Sequence, residues 1–184
     1  MADVAAWLAV RAAANERTLD VRVVEAAALL HDVDKLATVA AADGSRVRLP
    51  HGDGSAAWLR DRGLGNLAPL VRDHPVTRLA EADVSARLAA APLEARIVAY
   101  ADKRAGQRLE SMDERFASWR RRYPSGPEEQ HGLGWGDDVA TLVETRARAL
   151  EADVCAAAGV VPAEVRRLRW SRHALRAARR EAAA

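Results

Sequence analysis

The chain has 184 residues, with 28 Lys or Arg against 26 Asp or Glu and a formal net charge of +2. That length suits one domain with a substantial core, and the near balance of charge by itself argues against a nucleic-acid binder. The one cysteine, Cys155, excludes an internal disulfide and a thiolate-built zinc site. No apolar run approaches the thickness of a bilayer and no signal-peptide pattern opens the chain, so a soluble, cytoplasmic protein without membrane contact is expected.

Apolar residues make up 49% of the chain but aromatics only 4%, so the core is built mostly from Ala, Leu and Val. Ala together with Glu and Arg favours helix. Val4, Leu8 and Ala12 predict a first helix. Asp20 is a good N-cap for a second over Val21 to His31, because its carboxylate can accept from the free amides of the first turn. Gly44, Pro50, Gly52 and Gly54 mark a loop. Ser55 then caps a short helix through Trp58 and Leu59, stopped at Gly63. Asn66 opens another, which must end at His74 because Pro75 disfavours helix in the residue before it.

Pro92 suits the first turn of a helix running through Ile97, Val98 and Tyr100 to Asp102. Leu109, Met112, Phe116, Trp119 and Tyr123 recur at steps of three and four, the stripe of one long helix. Pro124 to Gly136 reads as a surface loop. Val139, Leu142, Val143, Leu150 and Val154 form another stripe, and Pro162 starts a final helix with Val165, Leu168 and Leu175 on one side. No strand alternation of useful length and no internal repeat is present, so the expected fold is all-α.

The chemistry gathers at His31-Asp32, which directly follows the run from Val23 to Leu30. A carboxylate at the edge of a core needs a strong partner, and a metal ion suits both it and the imidazole. Asp102 repeats the situation seventy residues on, after Ile97-Val98-Ala99-Tyr100-Ala101. With His51 and His74 the candidate ligands are His31, Asp32, His51, His74 and Asp102. Imidazole plus carboxylate without thiolate suits Fe, Mn, Co, Ni or Zn and fits Ca poorly. Helix ends converge easily on one pocket of a bundle. His131, in the loop, and His173, in the Arg-rich tail, read as surface positions. The only lysines of the chain, Lys35 and Lys103, stand beside the two candidate acidic ligands.

The segment Ala27-Ala28-Leu29-Leu30-His31-Asp32-Val33-Asp34-Lys35 resembles the central signature of the HD-domain metal-dependent phosphohydrolases. His51-Gly52 with Ala56-Ala57, then Val71-Arg72-Asp73-His74, resemble the histidine segments of the subgroup with extra ligands. Ile97 to Lys103 resembles the closing aspartate segment. The resemblance covers Val4 to Lys103, and its spacing is most similar to the symmetrical diadenosine tetraphosphate hydrolases. It implies an HD-type helical metal-binding domain over 1–123, with a loop and C-terminal helices over 124–184 packing on or extending the same domain. Two departures stand out. The family carries a further His on its first helix, and counting back from His31 reaches Met1 or earlier, so either the start is late or a ligand has been lost. Asp34 stands where many members have Gly, and is expected to face solvent or pair with Lys35.

The resemblance further implies one or two divalent transition-metal ions. One sits on His31, Asp32 and Asp102, and a second on His51 and His74 with Asp32 bridging. A water activated by two such ions attacks phosphorus in line. Asp32 and Lys35 are then the catalytic residues, with Lys35 contacting phosphate. Arg72, Arg78 and Arg104 are the other substrate-binding candidates, each equally read as a solvated helix face. The expected partner is a nucleotide or phosphate-ester substrate. Trp7 and Trp58 read as core positions in preference to base-stacking ones. Arg166, Arg169, Arg172, Arg176 and Arg179 fall on one stripe, which can bind nucleic acid, although a solvated face is favoured. The alternative function is a non-catalytic HD-fold protein that binds nucleotide or RNA after losing the first His.

Overall fold

Helix α1 (Ala2–Ala13) buries Val4, Ala5, Ala6, Trp7, Leu8, Ala9, Val10 and Ala12. A helix that is apolar on nearly every side belongs at the centre of a bundle, and α1 packs against α2 (Val21–Leu30), α6 (Leu93–Arg104), α8 (Asp137–Ala158) and α10 (Ser171–Glu181). The small Ala side chains let these neighbours approach closely. A computed structural model describes residues 1–15, 18–40, 45–106, 108–122, 135–168 and 171–181. Among them the fold is all-α: ten α-helices, two 3-10 turns and one two-residue antiparallel strand pair, Val39↔Val47 and Ala40↔Arg46. No helix among these residues is long and apolar enough to cross a membrane.

Most expected boundaries hold for the physical reasons given. Asp20 caps α2 by accepting from the amides of Arg22 at 2.9 Å and Val23 at 3.3 Å. Pro92 precedes α6, which runs two residues past Asp102. Helix α3 (Asp53–Asp61) follows Gly52 and is stopped at Gly63, whose φ of 74° suits glycine. Its cap is Gly52 and not Ser55, which sits inside the first turn and is used elsewhere. Helix α4 (Ala68–Arg72) begins two residues after Asn66 and ends before His74. A 3-10 turn (Val76–Ala80) and α5 (Val84–Ala90) lie between it and α6.

The long stripe after α6 is divided. Leu109 pairs with Ala105 in a bridge ahead of α7 (Met112–Arg122), which buries Met112 and Phe116, and Tyr123 lies outside the described residues. Residues 123–134, most of the expected surface loop, also lie outside them. In α8, Val143, Leu150 and Val154 are buried, whereas Val139 and Leu142 are 37% and 41% exposed. The final helix is broken: α9 (Pro162–Arg167) ends at Leu168, whose φ of −61° and ψ of 97° leave the helical region, before α10 starts at Ser171.

One buried ion pair ties the C-terminal helices to α6. Arg104 is 1% exposed, and its guanidinium meets Glu151 Oε1 of α8 at 2.5 Å. The Tyr100 hydroxyl accepts from Arg104 and donates to Glu151 at 2.9 Å. Arg104 also donates to the carbonyls of Glu110 at 2.6 Å and Pro162 at 3.2 Å. Removing one partner of such a pair strands the other charge in the core. Glu151→Ala is therefore expected to lower unfolding stability by about 3 kcal/mol, measured by urea denaturation. The volume-matched Arg104→Met/Glu151→Leu variant is expected to recover most of that loss; equal loss in both variants would exclude the ion-pair account.

Candidate metal centre

Helix ends leave carbonyls without donors, and two of the candidate histidines use that fact. His31 follows the last residue of α2, and its Nδ1 lies 2.8 Å from the Ala28 carbonyl. His74 follows α4, and its Nδ1 lies 2.5 Å from the Val71 carbonyl. His51, from the loop before α3, places Nδ1 2.9 Å from Asp34 Oδ1. Carbonyl and carboxylate oxygens only accept, so Nδ1 carries the hydrogen in all three rings. In the neutral rings each Nε2 is then a lone pair, the arrangement that metal-ligating histidines use.

All three Nε2 atoms converge on Asp32. Asp32 Oδ2 lies 3.3 Å from His31 Nε2, and Oδ1 lies 3.2 Å from His51 Nε2 and 3.4 Å from His74 Nε2. Asp102 Oδ1 approaches His31 Nε2 at 3.5 Å. The two nitrogens of His51 and His74 are 3.2 Å apart, with the rings edge to face. Asp32 Oδ1 is buried with no hydrogen donated to it. Five side chains expected to meet are thus together, and His31, Asp32 and His74 on the one hand and Asp32, Asp34 and His51 on the other form two groups able to hold a cation, sharing Asp32. A cluster of lone pairs at these separations requires a proton or a cation in its midst, and the nitrogen–oxygen donor set suits a divalent transition metal.

In the metal-free chain protons take that part. Burial works against charging His31, but the Asp102 and Asp32 carboxylates overcome it and raise its pKa to about 9. Asp32 raises that of His51 as well. His74, buried at 1% exposure, is pushed down by desolvation and stays neutral. Burial opposes ionisation of Asp32, yet the surrounding imidazoles and Lys35 hold its carboxyl well below the usual range.

Four further residues hold this geometry. Asp34 neither faces solvent nor pairs with Lys35: it is 5% exposed and accepts from His51 Nδ1, from Gly52 N at 2.8 Å and from Ser55 N at 3.3 Å. Gly52 is required there: its φ is 88°, and a Cβ would lie 2.3 Å from the Arg72 carbonyl oxygen. The Ser55 hydroxyl donates to the His31 carbonyl at 2.6 Å and accepts from Asp34 N. Lys103 points inward: at 1% exposure it donates to the carbonyls of His74 at 2.9 Å and Ala99 at 3.0 Å, and burial pushes its pKa down to about 8. The pairing of both lysines with the acidic ligands was the available signal for Lys103; Asp34 gave none.

The cationic candidates separate. Lys35 stands at the open side, 2.7 Å from Asp32 Oδ2. Arg72 and Arg78 are beside the site but share Asp53, at 2.9 and 2.6 Å. Arg104 has its donors engaged inside the protein and offers none to a substrate. Trp7 is core, and Trp58 carries Arg62 on its face, 3.9 Å from the ring centroid. The expected Arg stripe does not form as one face. Arg166 lies on α9 and Arg176 and Arg179 on α10, across the break at Leu168. Arg166 pairs with Glu114, and Arg179 with Glu25. Arg169, His131 and the side chains of Arg172, His173 and Leu175 lie outside the described residues.

Residues 1–106 match the family model of the HD domain. That segment is more than half of the 184 residues, and it carries all five candidate ligands, so the chain belongs to the HD-domain family. No curated protein and no solved structure matches the chain.

Asp34→Ala frees His51 Nδ1 and is expected to weaken metal binding by about 10- to 100-fold, read by competition with a chelator, with helical circular dichroism retained. Wild-type affinity in that variant would rule out a positioning role. The His31 pKa is raised above 6.5, so its protonation stabilises the metal-free fold fully below pH 6.5 and is lost as pH passes about 9. Lys103, depressed to about 8, acts with the opposite sign, so the readout is the His31 ring resonance and not overall stability. That resonance is expected to titrate near 9 without metal, and metal uptake at neutral pH to release a proton, measured calorimetrically in buffers of different ionisation enthalpy.

Proposed function

We propose that the chain is a metal-dependent phosphohydrolase acting on a phosphoester or phosphoanhydride of nucleotide type. The observation carrying this reading is the position of Asp32, with His31 against one oxygen and His51 and His74 against the other, while Asp102 approaches His31. One or two ions of Fe, Mn, Co, Ni or Zn would be held by these residues. Such ions supply Lewis acidity at phosphorus and an activated water near neutral pH.

The chain's own residues do the rest. Asp32 is the catalytic carboxylate, holding both donor sets in one register. His74 and Lys103 close the rear of the site against water, since both are 1% exposed. Lys35, with its side chain 58% exposed at the Asp32 face, is the cation within reach of a phosphate oxygen and stabilises charge as the bond breaks. Arg72 and Arg78 act through Asp53 on the rim beside His51, whose carbonyl lies 3.4 Å from Arg78.

The resemblance to the diadenosine tetraphosphate hydrolases makes dinucleoside polyphosphates the first substrates to try. A second reading, nucleotide binding without turnover, is favoured by one observation: α1 contains no histidine to complete the His31 and Asp102 set. The two are separated by metal analysis and by hydrolysis of bis(p-nitrophenyl) phosphate and diadenosine tetraphosphate after loading with each ion. Bound transition metal with turnover is expected. His31→Ala and Asp102→Ala are expected to reduce turnover by more than about a hundred-fold, since changes to the outer partners of ligands alone reach that. Nucleotide binding by a chain that neither retains metal nor turns over would decide for the second reading.

A further inference from the structure

Beyond residue 106 the chain leaves the family match, and the residues that follow wall a cavity of about 570 Å³. Its other side is formed by Val4 of α1 and by Ala105 and Gly106. Ala105 follows the last residue of α6, three positions after Asp102 and about 5 Å further along the helix axis. The cavity therefore lies at the end of α6 that carries Asp102.

Its lining is cationic. Arg108, Arg166 and Arg167 face it. Arg115 stands behind Gly106, where a Cβ would come within 2.9 Å of its guanidinium, so the glycine leaves the space that this side chain fills. Two carboxylates oppose these four arginines. Glu114 takes Arg166 through two hydrogen bonds at 2.8 and 3.0 Å, and Glu110 lies 3.6 Å from both Arg108 and Arg115. Arg167 has no carboxylate partner among the described residues, and the Arg108 side chain is 69% exposed. Forked guanidinium groups suit phosphate oxygens.

Resting on the phosphohydrolase reading, we infer that this cavity holds the distal phosphates of an extended substrate, a nucleoside or dinucleoside polyphosphate, while the bond cleaved lies over Asp32. A continuous nucleic-acid backbone fits less well. The basic surface is a pocket bounded by α1 and α9, and the helix break at Leu168 interrupts the stripe that a long strand would follow. The selectivity of this chain among phosphate substrates then resides outside the HD segment, in residues the family match does not include.

The test uses the full chain freed of metal and titrated calorimetrically with tripolyphosphate. Binding is expected, falling with added salt as ion release requires. Arg108→Glu/Arg167→Glu is expected to weaken it at least about tenfold, and Arg108→Lys/Arg167→Lys to retain most of it. The control Arg60→Glu/Arg121→Glu, exposed and outside the cavity, is expected to bind as wild type. In the metal-loaded chain the Arg108→Glu/Arg167→Glu variant should also lower the kcat/KM ratio of diadenosine tetraphosphate to bis(p-nitrophenyl) phosphate by a similar factor. No tripolyphosphate binding by the wild type, undiminished binding by the glutamate variant, or binding only of a single-stranded RNA oligomer would each overturn the assignment. Tripolyphosphate binding needs no metal, whereas absence of turnover on both bis(p-nitrophenyl) phosphate and diadenosine tetraphosphate would count against the hydrolase reading alone.

Discussion

The centre depends on where three imidazole hydrogens go. His31 and His74 spend theirs on carbonyls that the ends of α2 and α4 leave without donors, so the bond that finishes each helix also turns Nε2 toward Asp32. Folding and ligand orientation are here the same interaction. His51 comes from a loop and has no helix end to lean on. It relies on Asp34, and a buried carboxylate is tolerable only because Gly52 and Ser55 donate their amides to it. Ser55 in turn reaches back to the His31 carbonyl, so the loop ligand and the helix-end ligand are positioned through one hydrogen-bonded chain.

The surroundings are asymmetric in charge and access. On one side the side chains of Asp32 and His51 are about one-third exposed and that of Lys35, paired with Asp32, is 58% exposed. On the other, His74 and Lys103 are sealed, and the buried ammonium neutralises the carbonyl end of the segment that carries His74. A sealed rear keeps the imidazole neutral, while the wet front lets the remaining ligands exchange protons with solvent. The rim is stiffened by Asp53, which binds Arg72 and Arg78 and so fastens α3 to the segment around α4.

The sequence made the meeting of the His and Asp side chains and the all-α fold legible because both write short-range signals: an apolar run ending in His-Asp, a second ending in Asp102, a cap at Asp20, a proline after His74. Asp34 was not legible, since its role depends on meeting His51 seventeen positions on. Arg104 read as a solvated or phosphate-binding cation because the helix face that buries it is defined only by Glu151, in a different helix. The break at Leu168 was hidden for a similar reason: the arginine spacing around it fits an unbroken helix, and only the backbone at Leu168 departs from one. The turn at Val76–Ala80 and the short α5 carry too few apolar positions to show a period.

The Arg104 pair has a consequence for how the protein can be divided. The stretch shared with the family stops at 106, but the guanidinium at its end is neutralised by a carboxylate of α8 and hydrogen-bonded to a carbonyl at Pro162. A polypeptide cut at that border would lose both the counter-ion and the Pro162 carbonyl that this guanidinium uses. The matched stretch is thus shorter than the packed unit, since α8 and the start of α9 supply the partners of a charge buried at its end.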